Sequence, residues 1–181
     1  CSLRADHAAP IAEPPSRSCL IITNREETLD EHRLSGLTSA IGTRDCFVIA
    51  ADGGARIART LGRTPQIVVG DLDSLGHEEV QSLQQIGCEL VQFPSEKDQT
   101  DSHLALVWAV DAGFRDIQVL LQTSGRLDHI LGTIWASASC VERGATVGFI
   151  DEGFEATLAH GPAGVDVLPD QPLILSLIPI G

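Results

Sequence analysis

The chain contains no methionine, and its only lysine is Lys97. Positive charge of any kind is scarce: 12 Lys and Arg stand against 25 Asp and Glu, for a formal net charge of −13. Such a surface has no general attraction for nucleic acid or for an anionic membrane, so neither is expected as a partner. A phosphate-bearing ligand would need a local cation or local backbone donors to overcome the protein's own field. Long apolar runs are missing too, which argues against a transmembrane helix. No secretory signal is visible, and a cytoplasmic location is expected. Starting at Cys1 without a methionine, the chain is expected to be a processed or incompletely represented one. The five cysteines (Cys1, Cys19, Cys46, Cys88 and Cys140) have neither zinc-finger nor redox spacing. Three of them begin apolar runs, which suits small buried thiols rather than a disulfide framework. The histidines at 7, 32, 77, 103, 129 and 160 lack metal-ligand spacing, against a zinc site. What remains is a chain of 181 residues, 43% hydrophobic, enough for one full domain and part of a second.

Residues 1–17 hold three prolines and no periodicity, and are read as a tail or linker. An alternation then begins. Short β-branched or Leu-rich runs occur at 18–23, 46–51, 66–70, 88–93, 117–123 and 146–150, nearly uninterrupted, as in strands buried on both faces. Helix-length segments separate most of them, at 54–62, 77–87, 101–114 and 128–144, with apolar residues gathered on one face and Asp101 at the expected N-cap of the third. Strands alternating with helices predict an α/β fold, a Rossmann-like parallel sheet covered by helices, over 18–150. From 151 to 181 three short strand-like runs are broken by Gly and Pro, and the expectation is the start of an all-β unit.

In an open parallel sheet, ligands bind at the carboxyl ends of the strands. Four successive strand ends carry acids, glycines or the lone lysine: Asp52-Gly53-Gly54, then Asp71-Leu72-Asp73-Ser74, then Lys97 through Asp101, then Ser124-Gly125-Arg126-Leu127-Asp128. Each has an ordinary alternative, because turns favour Gly, Asp and Ser. Glycines before a helix admit a close backbone approach by an anion, or simply make a tight turn. Asp71 and Asp73 suit Mg²⁺, a hard cation, or form an acidic turn in which Asp73 or Ser74 caps the next helix. A haloacid-dehalogenase-type phosphatase also ends a strand in Asp-x-Asp, but expects Thr or Val where this chain has Ser74. Asp101 is a third metal ligand or only a cap. Arg126 grips phosphate oxygens bidentately, or makes a surface ion pair of little worth. His129 alone is read as structural.

The motifs ADGGA (51–55), GDLDS (70–74), KDQTD (97–101) and GRLDH (125–129), in this order, resemble the thiamine pyrophosphokinase family over roughly 18–150, with SLIPIG (176–181) resembling the opening of that family's second domain. The resemblance implies an ATP-dependent catalytic α/β domain followed by a β-sandwich that binds thiamine. It also implies homodimers with active sites between subunits, and transfer of pyrophosphate from Mg-ATP to the hydroxyl of thiamine. By the same resemblance the metal ligands fall on Asp71, Asp73 and Asp101. Nucleotide contacts fall on Asp52, Gly53, Gly54, Lys97, Gln99, Thr100, Ser124, Gly125 and Arg126, and Asp128 joins the catalytic set. Asp101 and Asp128 are both open as acceptor of the alcohol proton. The sequence departs from the family pattern at Arg56, where many members carry Asn, and at Ser124, which stands in a Gly place. Two other functions stay open: a pyrophosphokinase for another alcohol such as a pterin, and a non-catalytic nucleotide sensor.

Overall fold

The computed structural model describes residues 18–25, 29–42, 46–96, 98–161 and 178. Its elements run β1 (Ser18–Ile22), α1 (Glu31–Ile41), β2 (Phe47–Ala51), α2 (Gly54–Thr60), β3 (Ile67–Gly70), α3 (His77–Gln85), β4 (Glu89–Gln92), α4 (Asp101–Asp111), β5 (Asp116–Leu120), α5 (Leu127–Glu142), β6 (Thr146–Asp151) and β7 (Phe154–Leu158). All seven strands join one sheet in the order β4-β3-β2-β1-β5-β6-β7. The first six are parallel, and β7 runs antiparallel to β6.

Register explains the burial. Ile21 lies beside Ile49 and Val119, and Ile49 beside Ile67, so one row of branched side chains crosses the sheet. This row packs under α4 and α5 with Leu104, Ala105, Ala109, Ala136 and Cys140. Alternate residues face the other way. Leu20, Ile22, Val48 and Leu120 meet Leu37 and Ile41 of α1 and Ala58 of α2, while Ala50 and Val68 meet Ala55 of α2 and Leu83 of α3. Ile21, Ile49 and Ile67 have no exposed surface, which is worth about 2 kcal/mol each. The two helix layers therefore make the runs read as continuous rather than alternating. Cys19, Cys46, Cys88 and Cys140 are free thiols, and burial pushes that of Cys88 up to about 11.

Two features differ from the sequence expectation. Helix α1 was not foreseen: it is thinly amphipathic, with only Leu37 and Ile41 buried, and it starts where the Asp30 side chain accepts from Arg33 N at 2.8 Å. The sheet also does not end at 150. Asp151 pairs with Phe154, so β6 and β7 form a hairpin with Glu152 and Gly153 at its tip. Gly153 has φ +66, the left-handed conformation such a tight turn requires. Two loop residues cannot make a parallel crossover, so β7 must run backwards. The all-β unit expected over 151–181 thus begins with a strand of the central sheet. Residues 162–177 and 179–181 lie outside the described residues, as do residues 1–17 and Lys97.

Strand β1 is central. The chain builds outward from it through β2 and β3 to β4, then returns under α4 to lay β5 on its other side. The reversal opens a crevice at the carboxyl ends of β1 and β5, where open α/β sheets bind ligands.

Candidate active site

The residue following β2 is Asp52, in the left-handed region at φ +44, a conformation Asp tolerates better than most. Its N–H still donates to Val69 O at 2.9 Å, so the β2–β3 ladder runs up to the acid. The side chain is 4% exposed, and its Oδ1 has no hydrogen-bond partner. Strand β3 ends at Gly70, where a Cβ would lie 2.9 Å from Asp52 Cβ and 3.2 Å from Asp101 Oδ1. Only a residue without a side chain lets these two acids approach over the strand end. Asp101 reaches the same point from α4. It is the first residue inside that helix rather than its cap: the cap is Thr100, whose Oγ1 accepts from His103 N at 3.2 Å.

One carboxylate oxygen from each of Asp52, Asp71 and Asp101 lies within 4.8 Å of the other two. At an effective dielectric of about 20, each such pair repels by roughly 3 kcal/mol. Bringing three together, one of them buried with an unpaired oxygen, is unfavourable unless a cation shares them. All the donors are hard oxygens, the set Mg²⁺ takes, so the residues fit that ion.

Asp73 stands outside this triplet but beside it. Leu72, at φ +65, turns the chain between the two acids while its own side chain packs on the α3 side of the sheet. Asp73 N donates to Asp71 Oδ1 at 3.2 Å. A hydrogen bond shared with Asp71 and the negative charges of Asp71 and Asp52 raise the Asp73 carboxyl above its ordinary range. Neither Asp73 nor Ser74 caps α3; the cap is Gly76, whose N–H donates to Glu79 Oε2 at 2.8 Å.

The acids form one wall of a cleft of about 290 Å³ over the β1/β5 crevice. Thr23 and Asn24 enter it from the end of β1, Thr100 and Asp101 from α4, and Gln122, Gly125 and Arg126 from the turn after β5. Arg126 Nε and Nη2 reach the two oxygens of Asp128 at 3.2 and 2.5 Å, and this bidentate partner holds the Asp128 carboxyl below its ordinary range. Leu121, Ile130 and Thr133 also line the cleft.

Of the site residues expected from sequence, Asp52, Asp73, Thr100, Asp101, Gly125 and Arg126 line the cleft, and Asp71 joins the acid triplet. Gln99, Ser124 and Asp128 do not line it, nor do Gly53 and Gly54. The two glycines have a packing reason: a Cβ on Gly54 would sit 2.0 Å from Ile22 O, and one on Gly53 2.7 Å from the Asn24 side chain. Sequence reasoning missed Thr23, Asn24 and the lining role of His129. The position of Thr23 and Asn24 after the first strand was the available signal.

An open α/β sheet with acids from three segments gathered at the ends of β2 and β3, beside its switch point, defines the class: a domain built to act at its strand ends. The chain belongs to the family "Thiamin pyrophosphokinase, catalytic domain", whose pattern matches residues 40–149. A thiamine pyrophosphokinase from Bacillus subtilis is 34% identical over 104 residues, which are 58% of this chain and 49% of that protein. A crystal structure of thiamine pyrophosphokinase from Bacillus subtilis matches at 27% identity and TM-score 0.59, covering 75% of this chain and 61% of that one. One from Geobacillus thermodenitrificans matches at 30% identity and TM-score 0.56, covering 74% and 59%. The chain spans about half the length of the curated relative it matches.

Proposed function

We propose that the protein transfers pyrophosphate from ATP to the hydroxyl of thiamine, giving thiamine diphosphate and AMP. The observation that carries this reading is the convergence of Asp52, Asp71 and Asp101 at one point of a thiamin pyrophosphokinase catalytic domain. These three would hold Mg²⁺, with Asp73 at the rim. When bound, the ion neutralises charge on the triphosphate of an otherwise acidic protein. The alcohol oxygen bonds to the β-phosphorus, the bond from that phosphorus to the α–β bridging oxygen breaks, and AMP leaves carrying that oxygen. Arg126, at the mouth of the cleft, is suited to grip phosphate oxygens. Asp101 and Asp128 are the two candidates to accept the alcohol proton; Arg126 holds the Asp128 carboxyl below its ordinary range until it engages phosphate. Lys97, Gln99, Thr100 and Ser124 remain proposed nucleotide contacts. No helix among the described residues is long and apolar enough to cross a membrane, and we assign the enzyme to the cytoplasm.

We read the sheet and its helices as Rossmann-like, and the residues beyond β7 as the opening of a C-terminal β-sandwich that contributes to thiamine binding. A homodimer fits the surface. Leu127, Leu131 and Trp135 stand at i, i+4 and i+8 on α5 and are 67%, 46% and 66% exposed, a stripe continuous with the cleft at Arg126.

The test is to supply the protein with ATP, Mg²⁺ and thiamine and to resolve the nucleotides. AMP formed only when thiamine is present is the expected result. Stoichiometric ADP without AMP overturns the pyrophosphokinase reading; AMP formed with a pterin alcohol but not with thiamine overturns the choice of acceptor.

A further inference from the structure

Arg56 lies on α2, four residues past Asp52, and lines no part of the cleft. Its Nε donates to Glu79 Oε1 at 2.6 Å, and its Nη2 donates to Glu79 Oε2 at 2.5 Å and to Ser74 O at 2.5 Å. Glu79 Oε2 in turn accepts from Gly76 N. One guanidinium thus binds the β3–α3 loop twice, once through its backbone at Ser74 and once through the acid that closes the first turn of α3. That loop, residues 71–76, carries Asp71 and Asp73. The helix on which Arg56 sits begins at Gly54, two residues after Asp52.

A lone exposed ion pair would hold nothing. Here the carboxylate is gripped by both ends of the fork, a carbonyl is added, and the acid is itself fixed to the helix start. The side chains are 50% and 30% exposed, so the arrangement rests on geometry rather than on burial.

We propose that Arg56 is a positioning residue for the cation site: it locks the β3–α3 loop to α2 and so keeps Asp71 within sharing distance of Asp52. Lysine cannot replace it, because one ammonium cannot bridge a carboxylate bidentately and a carbonyl together. The proposal rests on the reading of the acid triplet as a cation site.

Charge and position predict opposite signs. Arg56 is a cation near three carboxylates, and electrostatics alone make Arg56→Gln bind a divalent cation more tightly. Positioning makes it bind more weakly. The experiment titrates the intact protein with Mn²⁺, without nucleotide, for the parent, Arg56→Gln, Arg56→Lys and Asp71→Asn, and follows amide hydrogen exchange across residues 71–76 in the first three. Expected are a roughly tenfold loss of Mn²⁺ affinity in both Arg56 variants, the scale of losing a support behind metal ligands, and faster exchange confined to 71–76. Unchanged or tighter Mn²⁺ binding in Arg56→Gln overturns the proposal, as does full affinity in Arg56→Lys. Unchanged exchange at 71–76 overturns the lock while leaving the cation site intact. If the parent binds no Mn²⁺, or Asp71→Asn binds it equally well, the cation-site reading itself falls and takes this one with it.

Discussion

Arg25 and Asp151, 126 residues apart in sequence, meet at 2.8 Å with side chains 1% and 4% exposed. The other oxygen of Asp151 accepts from Thr123 N at 2.8 Å and from Thr123 Oγ1 at 2.6 Å. A single carboxylate therefore joins the segment after β1, the turn after β5 and the end of β6, on the side of the sheet that carries the cleft. Burial alone would raise this carboxyl, but the bonds from Thr123 and Arg25 outweigh it and hold the group below its ordinary 3.8.

Removing one partner of a buried pair leaves the other's charge uncompensated. Asp151→Asn is expected to lower unfolding stability by about 3 kcal/mol, measured by urea denaturation at neutral pH. Replacing both partners, as Arg25→Met with Asp151→Leu, should recover most of that loss. The pH dependence follows from the depressed folded-state value: the pair's contribution is complete above 3.8 and fades as pH falls through the lower folded value. Equal stability of parent and Asp151→Asn at pH 7 would remove the pair from the list of what holds the cleft together.

Asp52→Asn and Asp71→Asn each keep the shape of the acid triplet and remove one charge from it. Mg²⁺-dependent turnover should fall at least about a hundredfold in both. The thermal midpoint in metal-free buffer should hold or rise, because repulsion is relieved. Normal turnover with a lowered midpoint would make these acids structural.

Glu79 gives a test at low pH. The hydrogen bond from Arg56, then that from Gly76 N, lowers its carboxyl from 4.5 to about 2. A depressed acid stabilises the fold above its unfolded value and loses that effect as pH falls through the folded one. The stability gap between parent and Glu79→Gln should be constant above about pH 5, narrow below 4.5 and close near 2. Its size stays small because the pair is partly exposed. A gap independent of pH would assign the effect of the substitution to something other than charge.

The α5 stripe predicts assembly. The parent should sediment as a dimer at micromolar concentration, and Leu131→Glu, which puts a charge in the middle of the stripe, should sediment as a monomer with an unchanged far-ultraviolet spectrum. A dimer that survives Leu131→Glu moves the interface elsewhere.

Strands β1, β2 and β3 were legible because burial on both faces forces unbroken apolar runs, whereas edge strand β4 showed only Leu90 and Val91 between exposed Glu89 and Gln92; the ends of β2, β3, β4 and β5 were legible as polar breaks after them. Helix α1 was not: Gly36, Thr38, Ser35 and Ser39 dilute its pattern, and its two anchors are Leu37 and Ile41. Three strand-like runs were expected between 151 and 181, but the hairpin was missed because its direction depends on Gly153 at a two-residue tip. The composition of the acid triplet was the least accessible. Asp71-Leu72-Asp73 reads as a matched pair, whereas Leu72 at φ +65 separates the roles of its neighbours and Asp52 at φ +44 turns inward. Leu72 leaves no mark of its positive φ in residue identity, and Asp52 leaves only a weak one, since Asp tolerates that region without requiring it.

The hairpin at Glu152 and Gly153 reverses the direction of travel. Strand β6 climbs toward the acids, and β7 descends from them, so that Leu158 stands opposite Val147 near the foot of the sheet. Five residues of strand cover roughly 16 Å. Anything that continues the chain past that strand sets out from the far rim and must climb back by that distance to touch its own cleft. The last strand thus acts as an exit ramp: it delivers the chain to the rim of the sheet opposite the acids.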